Sequence, residues 1–527
     1  MSNSANLPAP FLGIKQDTPV AAIESPYCEN LLNFNTTDIG VSLRNGDSTW
    51  SSTKNVAPST TDTFVGFVKY GNTKLFYAAD QNAANVRYFD ITSSGTPSVA
   101  HTSTTLASPS EIFTMYFGNR VFIFGDNVAA GDYFDGSSWG AWGFTFSTIT
   151  PVGACGYKNR AYFMGWNSTI FSYGGIDAVT GATTEKDLSG VILEKSTLST
   201  IAPVTVANAG QTLQLLAFVF FSGEVLFYSG SYPDSTTWTL EGRGKIGKPL
   251  NYNSSIDFQG DSLIMTRIGV VSLRDVFLSG GQNAITQTIS RAIDPTWIEL
   301  IAATISGSIF YDSASGRISY TRADWWQAQN RLIIGFPTLI DSSNNVVSGA
   351  FYFIYDTLRQ AWYLHESAGV DALLGLVQFR DFIFICGNYS GDATHDLIIK
   401  QKEGATDFQD TDSGSVKASY SYEMLSAPIP FPKTAVYEAT QIEPILESDL
   451  YAETNYNFVV DFGRQTSGNQ PTDALTTSVA KPAVNVGMQN ITYVQVKMSG
   501  TTAASKSVGL DLYSFNVWYN AGATGSR

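Results

Sequence analysis

The sequence predicts an all-β protein: a β-propeller of about seven blades, with an extended N-terminal arm before it and a C-terminal antiparallel β-sandwich after it. Three observations carry that expectation. Aromatics reach 13% of the 527 residues, with 26 Tyr and 33 Phe, while charged residues supply only 15%. Aromatic and β-branched side chains fill a pleated surface, and Gly, Ser and Asn turn the chain. Short apolar runs and tight turns recur in units of about 45 residues, the period at which propeller blades repeat. Beyond about residue 415 the runs lengthen and alternate cleanly, as sandwich strands do.

The chain is too long for one simple core, so two or three domains are expected. Residues 1–55 are rich in Asn, Pro, Thr and Ser with little alternation. They read as an arm lying on the rest of the chain or on a neighbouring subunit. Residues 56–414 carry the repeated units. One runs FVGFVKY, a turn at Gly71 and Asn72, KLFYAAD, VRYFDIT. The next runs IFTMYFG, NRVFIFG, GDYFDG, SSWGAWGFTF. A third runs ACGYK, NRAYFMG, STIFSYG, VILEKST. LQLLAFVFF, GEVLFYSG and TWTLEG make a fourth, and SIDFQG, DSLIMTR and GVVSLRD a fifth. SIFYD, GRISYTR, RLIIGFP, FYFIYDT and AWYLHES make a longer sixth, and ALLGLVQF, DFIFICG and DLIIKQK the last. One helix is expected, over 290–304, because Ile293, Trp297, Leu300 and Ile301 recur at helical spacing. Residues 415–527 supply the sandwich.

Net charge is −15, which argues against a nucleic-acid reader with its Lys/Arg-rich face. A wall of like charge would instead repel phosphates and keep them mobile. Cys28, Cys155 and Cys386 are far apart and form no metal or redox spacing, and His101, His365 and His395 do not pair at ligand spacing. Reduced thiols are expected. The start, MSNSANLPAPFLGIK, lacks a basic, then apolar, leader, and no apolar run is long enough to span a bilayer. A soluble protein without a cleaved secretion signal is expected.

The stretch 223–242, GEVLFYSGSYPDSTTWTLEG, carries the sharpest chemical hint. Ser231, Asp234, Thr237 and Trp238 resemble the Asp box of sialidase-type propellers, a Ser-x-Asp-x-Gly-x-Thr-Trp turn. Asp234 is displaced and Ser235 replaces the glycine. In such a turn Ser and Asp satisfy nearby amides and the Trp packs beneath, which is a folding device. A sialidase also needs convergent arginines, for which Arg160, Arg267 and Arg322 are candidates, and a carboxylate pair, for which Glu224 and Asp257 have the right type. Asp132 and the Asp135-Gly136 turn lack the alternating oxygens of a calcium loop and read as a hairpin. Trp325-Trp326 fits a core or interface anchor better than a sugar platform. No catalytic, cofactor-binding or metal residues are assigned.

A family likeness rests on the order of several segments. LQLLAFVFFSGEVLFYSGSYPDSTTWTLEGRGKIGKPL leads into SSIDFQGDSLIMTRIGVVSLRDV, then AITQTISRAIDPTWIELI, RLIIGFP and YDTLRQAWYLHES. The opening PFLGIKQDTPVAAIESPYCENLLNFNTTDIGVSLRNG fits the same pattern. This order, over residues 11–415, resembles the propeller-containing tail nozzle or hub proteins of short-tailed bacteriophages. The resemblance implies a structural protein of the virion tail, made and assembled in the host cytoplasm, and not an enzyme. It implies a homo-oligomeric ring, commonly a hexamer, below the tail adaptor protein. Fibres or spikes attach outside, and genomic DNA passes without sequence-specific binding. The competing expectation is a carbohydrate-binding or sialidase-like propeller acting on host surface glycans.

Overall fold

The computed structural model describes residues 3–10, 12–17, 27–38, 40–44, 47–50, 62–81, 85–93, 97–126, 128–208, 211–280, 288–307, 311–312, 317–319, 321–337, 350–367, 370–389, 392–401, 410–412, 416–418, 421–426, 429–430, 436–447, 455–461, 473–475, 484–491, 493–501 and 511–522. Seven small antiparallel sheets follow one another along the chain. The first four each have four strands. Their first strands are Asp62–Tyr70, Ile112–Phe117, Pro151–Tyr157 and Leu198–Asn208. The fifth sheet has three strands, Ser255–Phe258, Asp261–Thr266 and Gly269–Ser272. The sixth runs from Arg322–Trp326 to Ala361–Ser367 and the seventh from Val370–Phe379 to Asp392–Gln401. First strands of successive sheets lie side by side, and Val370–Phe379 packs against Asp62–Tyr70, so the sheets close into a seven-bladed propeller.

The first strands share a device. Register shifts fall at Phe64/Gly66, Pro151/Gly153, Leu198/Thr200 and Leu373/Gly375, in the first, third, fourth and seventh blades. A bulge bends a strand and increases its twist, which suits strands crowded round an axis. Crowding also explains one glycine: a Cβ on Gly375 would lie 2.3 Å from Cζ of Phe64 in the first blade.

The seam of the ring lies in the seventh blade. Asp47–Thr49, from the N-terminal segment, pairs antiparallel with Asp392–Gln401 as that blade's outer strand. The other described strands of the arm also pair within the chain. Cys28–Leu32 bridges Ala361–Ser367 of the sixth blade and Ser421–Ser426 of the C-terminal region. Asn33, in the left-handed conformation that Asn tolerates (φ 61°), accepts at Oδ1 from Nε of Arg44 (2.8 Å) and from the amide of Glu366 (2.7 Å). Arg44 is wholly buried and donates also to the Glu366 carbonyl.

Two sheets form the C-terminal sandwich. In one, Val41–Leu43, Val436–Glu447 and Asn3–Pro8 all pair with Asp511–Gly522, while Phe34–Thr36 and Val484–Ile491 extend it. In the other, Ser421–Ser426 and Asn455–Asp461 flank Tyr493–Thr501, and this sheet is continuous with the sixth blade. Phe34 of the first meets Tyr422 of the second edge to face at 5.7 Å. Met424, Val496, Met498, Leu512 and Phe515 fill the same core, which runs on into the fifth, sixth and seventh blades.

The helix expected over 290–304 is observed as a 3-10 turn, Arg291–Ile293, running into an α-helix, Asp294–Gly307. Trp297 is fully buried and donates from Nε1 to the Thr266 carbonyl at 2.8 Å. A second, short helix, Leu273–Leu278, was not anticipated. It begins inside the run GVVSLRD, where Ser272 caps the Asp275 amide at 3.0 Å, and it packs Leu273 and Val276 against the fourth and fifth blades. VILEKST, read as a strand, is the connector between the third and fourth blades, and the third blade's outer strand is the polar Thr184–Asp187.

Candidate functional site

Between the first strands of the first, second, sixth and seventh blades lies a cavity of about 260 Å³, lined among others by Phe64, Lys69, Phe113, Arg322, Asp324 and Leu376. Charged pairs span this channel. Lys69 Nζ lies 3.0 Å from Asp324 Oδ2 and donates to the Gln378 carbonyl at 3.0 Å, joining three blades. Arg322 pairs with Glu111, donates to the Ile112 carbonyl at 3.2 Å and lies over the Phe113 ring. Glu111, with no exposed surface, also accepts from Asn251 Nδ2 at 2.9 and 3.1 Å. Beside it Asp126 accepts from Ser110, from the Glu111 amide and from Arg317, whose guanidinium covers Trp166 and Tyr252. Each of these charges has an opposite partner, as their burial or part-burial demands, although Nε and Nη1 of Arg317 make no hydrogen bond among the described residues.

The 230–238 turn joins the third and fourth strands of the fourth blade. It differs from the expected capped turn. Asp234 satisfies no turn amide. It accepts instead from the Tyr173 hydroxyl and pairs with Lys186 at 2.5 Å, both on the third blade. The turn is closed by Thr237 and Ser235: the Ser231 amide donates to Thr237 Oγ1, and the Thr237 amide to Ser235 Oγ. Trp238 stacks on Tyr228 at 5.1 Å and, more distantly, on Tyr162 of the third blade. Arg160 lies 4.4 Å over Tyr232. The stretch is a seam between two blades. Mutual hydrogen bonding pulls the Asp234 carboxyl below the ordinary carboxylate range, chiefly through Lys186 and then Tyr173. Burial, followed by Asp234, pushes the Tyr173 phenol up to about 12.

The other candidates are dispersed. Arg160, Arg267 and Arg322 occupy three neighbourhoods, with Arg267 over Tyr311. Glu224 is buried, pairs with Arg243 at 3.0 Å and accepts from the amides of Leu193 and Glu194, whereas Asp257 is exposed on the next blade. Asp132 accepts from Tyr88 and Thr105. Asp135 accepts from the amides of Ser137 and Ser138, whose bonds hold its carboxyl low. Trp326 is wholly buried and Trp325 meets Phe258 edge to face at 4.7 Å. Cys28 and Cys386 are buried, and His395 lies where the structure describes no side chains. Among the described residues no group of three or more His, Cys, Asp or Glu is placed to hold a metal, and no helix is long and apolar enough to cross a membrane.

One concavity was not anticipated. A cleft of about 960 Å³ opens where the turns after the second strands of the third and fourth blades flank the connector between them. Small polar residues on turns carry no periodic signal, so the sequence gives it no mark.

No model of a known protein family matches the chain, and no curated protein sequence matches it. Among solved structures it is similar to YCF48 bound to D1 peptide, at 11% identity, covering 74% of this chain and 100% of that one, with a TM-score of 0.36. It is similar also to a chain of the nidogen/laminin complex, at 11% identity, covering 42% of this chain and 80% of that one, with a TM-score of 0.27. The propeller itself rests on the chain's own strand pairing.

Proposed function

We propose that this protein is a structural component of the virion of a short-tailed phage, forming the distal nozzle or hub ring of the tail. In that role it is not an enzyme. It meets the adaptor protein and the fibres or spikes, and the genome passes it without being read. The observation that carries the reading is where the polar side chains go. Arg322, Glu111, Arg317, Asp126, Lys69, Asp324 and Asp234 all join one blade or connector to another. Residue types that serve chemistry elsewhere here hold a rigid ring together. The family-like segments between 213 and 367 fall on the fourth to sixth blades and the helix beside them, and a net charge of −15 suits a wall past which phosphates slide. Head-to-tail contacts that close by rotation would build the ring. Negative-stain microscopy of the purified full chain tests this: closed rings with an axial opening are expected. Uniform monomers that cleave glycans would sink it.

A second reading, a carbohydrate-binding propeller, is favoured by one observation, the open cleft between the third and fourth blades.

A further inference from the structure

We propose that the cleft between the third and fourth blades binds the carboxylate-bearing residue of an acidic glycan, such as a uronic or nonulosonic acid. The inference deepens the carbohydrate-binding reading and rests on it.

Its volume, about 960 Å³, lies within the range of small-molecule sites. Its chemistry is lopsided. Asp187, which lies beside it, is already spent: Oδ1 accepts from Thr169 Oγ1 (2.6 Å) and the Ser189 amide (2.8 Å), and Oδ2 from Ser189 Oγ (2.7 Å). These bonds hold its carboxyl below the ordinary range. The neighbouring acids are also engaged, Glu194 with Lys245 and Glu224 with Arg243. Donors remain. Asn167 uses its oxygen to accept from Tyr252 (2.9 Å) and its Nδ2 makes no contact among the described residues. Ser168 and Ser196 accept backbone amides at Oγ, so their hydroxyl protons point elsewhere. Lys195 is exposed and makes no ion pair among the described residues. Among the described residues the cleft thus offers one cation, Lys195, and several donors, and the unpaired anion beside it, Asp187, has both oxygens occupied by hydrogen bonds.

Part of the wall is apolar: Ile192, Leu193 and Phe221 line it, and Phe221 is held edge-on against Tyr252 at 5.1 Å. A sugar ring matches this set. Its C–H face packs on Phe221 and Ile192, its hydroxyls exchange hydrogen bonds with serines and Asn167, and its carboxylate meets Lys195. Charge-assisted hydrogen bonds are about twice as strong as neutral ones, so the acid group should dominate selectivity.

The test is titration calorimetry on the full chain with glucuronic acid and N-acetylneuraminic acid, against glucose, inorganic sulfate and inorganic phosphate. Saturable binding of an acidic sugar is expected, with glucose and both ions roughly tenfold weaker or worse. Lys195→Ala should remove the preference for the acid and Lys195→Arg restore it, with an unchanged melting temperature. Asn167→Ala should weaken acidic and neutral sugars alike. No saturable binding, equal binding of glucose, or equal binding of sulfate would overturn the proposal. Each outcome is independent of whether microscopy shows rings.

Discussion

The Tyr173 hydroxyl donates to Oδ2 of Asp234 across the seam between the third and fourth blades. Lys186 holds the other carboxylate oxygen. A residue that resembled part of a sugar-hydrolase turn is thus a clasp between neighbours.

Replacing Asp234 by Asn should lower the melting temperature at neutral pH while leaving the fold intact. The folded carboxyl sits below its ordinary value, so its stabilisation is present above that ordinary value and lost as pH falls through the folded one. The penalty of the substitution should therefore shrink on acidification. Thermal unfolding of both proteins at neutral pH and near pH 3 checks this. An equal penalty at both would mean that the charge contributes nothing.

Breaking the axial pair should be far more damaging. Arg322→Met leaves Glu111 buried without its guanidinium, a loss of about 3–5 kcal/mol by analogy with other buried pairs. Replacing both residues by Met should cost clearly less than the two single substitutions added together. Urea unfolding of the three variants measures the coupling, and strict additivity would show that the pair acts as two independent groups.

His365 should make the protein acid-sensitive. Burial holds its imidazole well below the ordinary value, and the cations Arg44 and Arg331 add to the effect. The rings of Tyr352 and Tyr363 pack against it, and the arm brings Arg44. The folded state therefore keeps the ring neutral while the unfolded chain protonates near pH 6.5. Stability is full above that pH and should fall as pH drops towards the folded value, by about 1.4 kcal/mol per unit. His365→Gln should flatten that slope in unfolding experiments between pH 7.5 and 5. An unaltered slope would assign the acid sensitivity to another group.

What the sequence displayed was burial. Runs such as RVFIFG and RAYFMG fall on blade strands almost wholly enclosed by their neighbours, and their apolar signal located the blades. Outer strands stand apart for the opposite reason: Ser98–Thr102 is largely exposed and Thr184–Asp187 half exposed, so neither supplies an apolar run. The seam strand Asp47–Thr49 was hidden for another reason. Its partner lies at the far end of the propeller, and strand pairing across such a distance leaves no local periodicity. At the clasp, the pattern marked the turn correctly, but which partner Asp234 would choose depended on a neighbouring blade. The cleft left no trace, since hydroxyls and amides on turns acquire meaning only when two blades converge.

The seam also sets an order of events during synthesis. Thr49 emerges early and must wait for Ile399 before its blade has an edge. Through that interval every intermediate carries an exposed strand edge, the kind of template on which chains mispair. Closing so distant a contact is entropically slow rather than costly, because the penalty grows only with the logarithm of the span. Once closed, the two ends are held together, since Asn3–Pro8 pairs directly with the C-terminal strand Asp511–Gly522 while Asp47–Thr49 ties the same segment to the last blade.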